Sequence, residues 1–284
     1  TMKTALCATA LTLAATGAFA AGHGTPTMGY ALANDGNTLV VMADISAPGE
    51  VATYDLSTQL DAIAYRPVTG DLLGYTNGTI VTIDPTSGEV TNLGASFMDD
   101  AMVADGAAVG FDFNNAIDAV RVVSSAADNL VYFPEGFGDN DERAGSVRRF
   151  TALAYAEGDA NAGATPMIFA NAYTNALNGM TADETFQYAL DAGTDALVSL
   201  ANNAGTLETI GAVTVDGEAV DLSMMGGFDI LSPEMGQNMG YAILQIEGAE
   251  TAGLYQIDLE SGAATLQADL GMGGFGGFAV SRGM

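Results

Sequence analysis

The sequence predicts an all-β fold, a β-propeller of five blades whose ring is closed by strands from both chain ends. Three observations predict it. Glycine makes up 36 of 284 residues, well above the usual share of about 7%, and the glycines punctuate short runs of β-forming residues. A strand-and-turn plan recurs along the chain, the mark of a repeat architecture. The last repeat is split, with its first strand near the C-terminus and its other three near the N-terminus, an arrangement that removes exposed sheet edges.

The first complete unit starts at Leu60 and reads as four short strands. They are separated by Pro67-Val68-Thr69-Gly70, Asn77-Gly78 and Pro85-Thr86-Ser87-Gly88, turn signals because Pro presets φ and Gly supplies positive φ. The second opens with Gly110-Phe111-Asp112-Phe113 and closes with Gly145 to Phe150. The third runs from Ala152 through MIFANAYTN, TFQYALDAGTDALVSL and TLETIGAV. The fourth opens with Gly226-Gly227-Phe228-Asp229-Ile230, and its Ile257-Asp258-Leu259-Glu260-Ser261-Gly262 matches Ile83-Asp84-Pro85-Thr86-Ser87-Gly88 of the first. The split unit joins Gly277-Phe278-Ala279-Val280-Ser281 to MGYALANDG, TLVVMADI and EVATYDL. Strands hidden in the 97–106 or 213–225 connections would raise the count to six blades.

The head of the chain reads differently. Lys3, an apolar run from Ala5 to Ala15 and the small residues of Ala18-Phe19-Ala20 make a secretory signal peptide over residues 1–20. A flexible mature N-terminus over 21–27 and a single propeller domain over 28–284 follow. The apolar run is shorter than the roughly 20 residues that cross a bilayer, so the expectation is an exported protein, periplasmic or extracellular, with no stable membrane span.

Charge narrows the partners. Seven basic against 35 acidic residues give a net charge of −28, which repels DNA, RNA and anionic membranes; nucleic acid is excluded and the partner is an unidentified protein or polymer. Removing residues 1–20 takes away Lys3 and Cys7, the only Lys and Cys, and leaves six arginines and a net charge of −29. Disulfides, thiol nucleophiles and lysine Schiff bases then disappear, and a single His cannot serve a triad in the folded body. Carboxylate, Tyr, Arg or metal chemistry survives. The lack of Trp counts against a sugar-cleaving enzyme.

Gly110 to Ser125 (GFDFNNAIDAVRVVSS), Asp128-Asn129-Leu130, Ala154 to Pro166 (AYAEGDANAGATP) and Ala172 to Asn175 (AYTN) carry a likeness to one family. On these residues the chain resembles the exported bacterial proteins catalogued as domain of unknown function 4394, over about Leu60 to Leu270. The resemblance implies a propeller-like fold and an activity not established. The chain departs from that family's pattern at Asn115, Ala119 and Val131, where Pro, Arg and Arg are usual, which removes any anion site those arginines would make.

Several residues are candidates for chemistry. Asp112 and Asp229 occupy matching places in two first strands and, as a pair, suit acid–base hydrolysis of a carbohydrate or similar polymer; the alternative is that each satisfies backbone groups between blades. Asp159 and Asn161 have the D-x-N-x-G spacing of a Ca²⁺ loop, the one cofactor suggested, although the later bidentate Glu is missing. A plain Asx-turn is the competing reading. Gly138 to Arg143 packs three acids beside an Arg as a hairpin tip or second cation loop. Asp118 and Arg121 read as a structural ion pair. His23, third residue after cleavage, fits an amino-terminal Cu²⁺ or Ni²⁺ site. Met224, Met225, Met235, Met239 and Met272 read as core filler or loop residues. The leading reading is a non-enzymatic binding module, with hydrolysis second and periplasmic metal binding third.

Overall fold

The computed structural model describes residues 25–283; the expected signal peptide over 1–20 and His23 lie outside the described residues. Among those residues the chain is all β, with twenty-four strands and one 3-10 turn at Asn202–Ala204. No helix among them is long and apolar enough to cross a membrane.

The strands form antiparallel meanders. From the N-terminus come β1 (Met28–Ala33), β2 (Thr38–Met42) and β3 (Val51–Asp55), then a meander of β4 (Ala62–Tyr65), β5 (Leu72–Thr76), β6 (Thr79–Ile83) and β7 (Val90–Asn92). The two-residue β8 (Ser96–Phe97) edges the next meander, made of β9 (Val109–Asn114), β10 (Ala119–Ser124), β11 (Asn129–Phe133) and β12 (Ser146–Arg149). Likewise β13 (Ala154–Tyr155) edges β14 (Ile168–Tyr173), β15 (Gln187–Asp191), β16 (Ala196–Ala201) and β17 (Thr206–Ala212). A small ribbon of β18 (Thr214–Val215) and β19 (Glu218–Ala219) flanks β20 (Leu222–Glu234), β21 (Gln237–Ile246), β22 (Gly253–Ile257) and β23 (Ala263–Asp269). The C-terminal β24 (Gly276–Ser281) pairs antiparallel with β1, Gly29 opposite Val280, so that β24, β1, β2 and β3 make one more meander from both ends of the chain.

Burial falls from the first strand of each meander to the last. Every residue of β9 and β14 is buried, whereas β3 and β7 are largely exposed. First strands pack on first strands: β4 lies against β9, β9 against β14, β14 against β20, β20 against β24, and β24 against β4. The core is accordingly divided between neighbouring sheets. Tyr75 and Ile80 meet Phe111, Phe113 and Tyr132; Phe169 and Leu197 meet Phe228 and Ile230; Leu231 and Leu254 meet Met42 and Phe278; Leu32 and Leu39 meet Ile63 and Val81. Val123 reaches Ile168 and Leu200 in the same way. With each such side chain contributing about 1.5–3 kcal/mol on burial, stability resides in the contacts between sheets rather than in one central core. The fold is propeller-like.

Glycine sets how closely the first strands approach. A Cβ on Gly227 would stand 2.3 Å from the Phe278 nitrogen, and the neighbouring Gly226 bridges Gly276 in parallel. The Gly-Phe pairs that open these strands thus combine a bare position for the neighbouring backbone with a ring for the adjacent core.

Three local expectations change. Ala152 to Asp159 does not supply the first strand of the third unit; Ala154–Tyr155 is an outer edge paired in parallel with β17, and the buried first strand is β14. The 97–106 and 213–225 connections hold only two-residue strands, apart from the start of β20, so they add no further four-stranded unit among the described residues. Asp118 pairs with Arg66 instead of Arg121. Asp118 sits at φ 51° in the turn before β10, while Arg121 lies inside the strand and donates to Tyr173, Asn129 and Asn203.

Replacing Gly227 by Ala is expected to cost about 1–3 kcal/mol through overpacking, read as a lower denaturant midpoint. An unchanged midpoint would show that the β20–β24 contact is not tight.

Candidate functional site

Two openings lie among the packed first strands. Residues at their starts, among them Asp61, Val109, Gly226 and Gly276, line one mouth. Residues at their ends, among them Tyr65, Asp112, Leu231 and Ser281, line the other. Between the mouths the space narrows to about 10 Å³, bounded by Phe111, Phe169, Phe228 and Phe278. Asn171 borders this neck with neither side-chain amide atom hydrogen-bonded among the described residues.

The end mouth is a cleft of about 60 Å³ that holds both expected carboxylates, Asp112 and Asp229. Each is only 6% exposed. Each also reaches across to the next first strand: Asp112 Oδ2 accepts the Tyr173 amide at 2.6 Å, and Asp229 Oδ2 accepts the Val280 amide at 2.7 Å. Asp229 Oδ1 takes the Ile230 amide as well. The free edge of a first strand carries backbone N–H groups that must be satisfied when buried, and these side chains satisfy two of them.

Burial pushes both carboxyls up. Asp229 rises to about 7, chiefly by loss of solvent and against the opposing pull of the Val280 and Ile230 amides. Asp112 rises well above the usual carboxylate range, first through burial and then through the charge of Asp229, with the Tyr173 and Phe113 amides opposing. The exposed Arg282 stands at the rim.

The start mouth has a volume of about 270 Å³. Its wall includes Met224 and Met225, which stay 41% and 45% exposed although they lie inside β20. The register between β20 and β21 shifts between Leu222 and Gly226, and the slack presents both thioethers outward. Asp35 and Asp61, both exposed, stand on the rim, and Gln59 donates to the Asp35 carbonyl. The expectation that these methionines fill core or loop does not hold for Met224 and Met225. No sequence period marks a bulge; the signal available was Met-Met directly before Gly-Gly.

The other candidates are tied into their own loops. Asp159 caps the Asn161 amide in an Asx-turn and takes both the amide and the hydroxyl of Thr209, to which Asn161 also donates. The amides and the Thr209 hydroxyl hold the Asp159 carboxyl below its ordinary range. These contacts use the oxygens as a latch onto β17. No group of three or more His, Cys, Asp or Glu among the described residues is placed to hold a metal ion. In the Gly138–Arg143 tip, Asp141 pairs with Arg143, whose guanidinium lies 4.8 Å and 5.0 Å from the Phe133 and Phe137 ring centres.

Comparison with known proteins gives a family match. The family described as Domain of unknown function (DUF4394) matches residues 38–279. No curated protein sequence matches. Among solved structures, the chain is similar to an auxiliary nutrient binding protein from Bacteroides ovatus, at 13% identity and TM-score 0.44, over 74% of this chain and 52% of that one. It is also similar to a gluconolactonase from Xanthomonas campestris, at 16% identity and TM-score 0.42, over 89% and 76%. A protein of unknown function from Bacteroides thetaiotaomicron gives 13% and 0.45, over 81% and 55%. The chain thus spans about half the length of the first and third of these.

Two measurements probe the site residues. The buried pair binds a proton more tightly in the folded than in the unfolded chain, so its contribution favours folding at low pH and is lost as pH rises from about 4 towards 7. Wild-type melting temperature should fall across that window, and Asp229→Asn, which keeps an acceptor for Val280, should flatten the fall; parallel curves would refute the raised Asp229 carboxyl. Thr209→Val should cost about 1 kcal/mol by removing the hydroxyl that Asp159 and Asn161 both contact, while EGTA should leave the wild-type melting temperature unchanged. A drop with EGTA would show that Asp159 and Asn161 hold Ca²⁺ after all.

Proposed function

Because this chain belongs to the DUF4394 family, whose name assigns it no activity, we propose from its own geometry that it is an exported binding module: a five-bladed β-propeller, closed by β24 with β1 to β3, that takes its ligand at the start mouth. The cyclic packing of first strands and the antiparallel register of β24 with β1 support the blade count and the closure. The signal-like residues 1–20 support export. The observation that carries the binding reading is the exposed Met224–Met225 pair beside an opening of about 270 Å³, because ligand sites are concave and combine apolar side chains with a few polar groups.

Hydrolysis by Asp112 and Asp229 is the second reading, favoured by their raised carboxyls in one cleft. Two observations oppose it. Both side chains already anchor backbone amides, and a cleft of about 60 Å³ falls short of a cavity of roughly 150 Å³ that admits a benzene ring, let alone a sugar ring positioned for attack. Metal binding at His23 rests on residues outside those described.

Fractionated envelope extract, assayed by its effect on melting temperature, separates the readings, since a ligand at about 100 times its Kd adds about 2.7 kcal/mol. The fraction that stabilises the wild type should stabilise Asp112→Asn/Asp229→Asn equally and should fail on Asp35→Lys/Asp61→Lys. The reverse pattern would favour the carboxylate pair.

A further inference from the structure

We propose that the start mouth binds a basic, amphipathic polypeptide segment, its Lys or Arg side chains on the rim carboxylates and its apolar anchors against Met224 and Met225. This rests on the reading of that mouth as the ligand site and names the chemistry of the occupant.

Topology concentrates the needed groups there. Since the first strands start on this side, connections that lead into them reach the same mouth, including 98–108 before β9 and 271–275 before β24. Those connections expose two more methionines, Met102 and Met272, each at 46%. They also expose Asp99 and Asp105, which join Asp35 and Asp61 in giving the face its sign. The basic residue nearest these loops, Arg149, is already engaged by Asp100, Asp128 and the Met102 carbonyl. The acids of this face are otherwise without a balancing cation among the described residues.

Carboxylates and flexible thioethers together select the occupant. Methionine adapts its shape to varied apolar partners, so these side chains suit a segment with aliphatic or aromatic anchors. The carboxylates demand that the same segment be basic and speed its approach. A bare metal ion would leave the methionines unused, and an anionic membrane would be repelled by the rim. Glycine at 226, 274, 276 and 277 walls the mouth, so an incoming chain can lie close to the backbone.

The test uses the whole chain and a fluorescein-labelled Lys/Leu amphipathic peptide of about 18 residues, long enough for about five helical turns, followed by anisotropy. A Gln/Leu peptide with the same apolar face runs in parallel. The expected result is micromolar binding of the Lys/Leu peptide, weakened about tenfold or more in Met224→Ser/Met225→Ser and also in Asp35→Asn/Asp61→Asn. It should weaken again between about 50 and 500 mM NaCl as screening shortens, with hydrogen-exchange protection at residues 35–36, 59–61 and 224–226. Equal, Met-dependent binding of the Gln/Leu peptide would overturn the basic occupant and leave the mouth standing as a site. Lys/Leu binding indifferent to both double variants, or protection only elsewhere, would overturn the proposal. If neither peptide binds while a stabilising envelope fraction still protects 224–226, the peptide chemistry alone falls. Protection by that fraction only around Asp112 and Asp229 would remove the mouth reading as well.

Discussion

The close approach of neighbouring first strands is the constraint from which the rest of the structure follows. At β20 and β24 it is close enough that Gly227 has no room for a Cβ beside the Phe278 backbone. Strands this near one another bury their edges, and a buried edge must find partners for its amides. Asp112 and Asp229 meet that need for Tyr173 and Val280. Phe111, Phe169, Phe228 and Phe278 bound a narrow neck between the two openings. Two separate mouths are the consequence, one small and carboxylate-floored, the other wider and apolar.

The two mouths illustrate how identical chemistry diverges with burial. Asp112 and Asp229 lie out of water, and burial raises both carboxyls above their ordinary range. Asp35 and Asp61 face solvent on the opposite side and supply field rather than structure. A chain with a net charge of −28 can afford both uses because its few arginines are spent locally: Arg66 on Asp118, Arg143 on Asp141, Arg149 on Asp100 and Asp128. Arg121 is buried without a carboxylate within ion-pairing distance among the described residues and is satisfied instead by two asparagines and Tyr173.

Much of the fold was legible because the turn chemistry is local. Asn77-Gly78 and Pro85 to Gly88 announce hairpins wherever they occur, and Gly-Phe-Asp at 110 and 227 marks matching strands. The sites were less legible. The D-x-N-x-G spacing at Asp159 predicts an oxygen-rich loop but cannot say that Thr209, fifty residues later, occupies those oxygens. Asp118 and Arg121 are near in sequence, yet residues three apart across a turn and into a strand point to different faces. Met224 and Met225 sit within a strand, and only their place in an irregular register turns them outward.

The sequence by itself determined the all-β class and the recurring four-strand plan, because these depend on composition, on period and on turns of a few residues. Only the tertiary structure decided which carboxylates are buried, which methionines are exposed and which face collects the acids. Those properties depend on what a distant strand places alongside each residue. The same Asp is a strap between sheets when a neighbouring amide lies 2.7 Å away and a surface charge when nothing but water does.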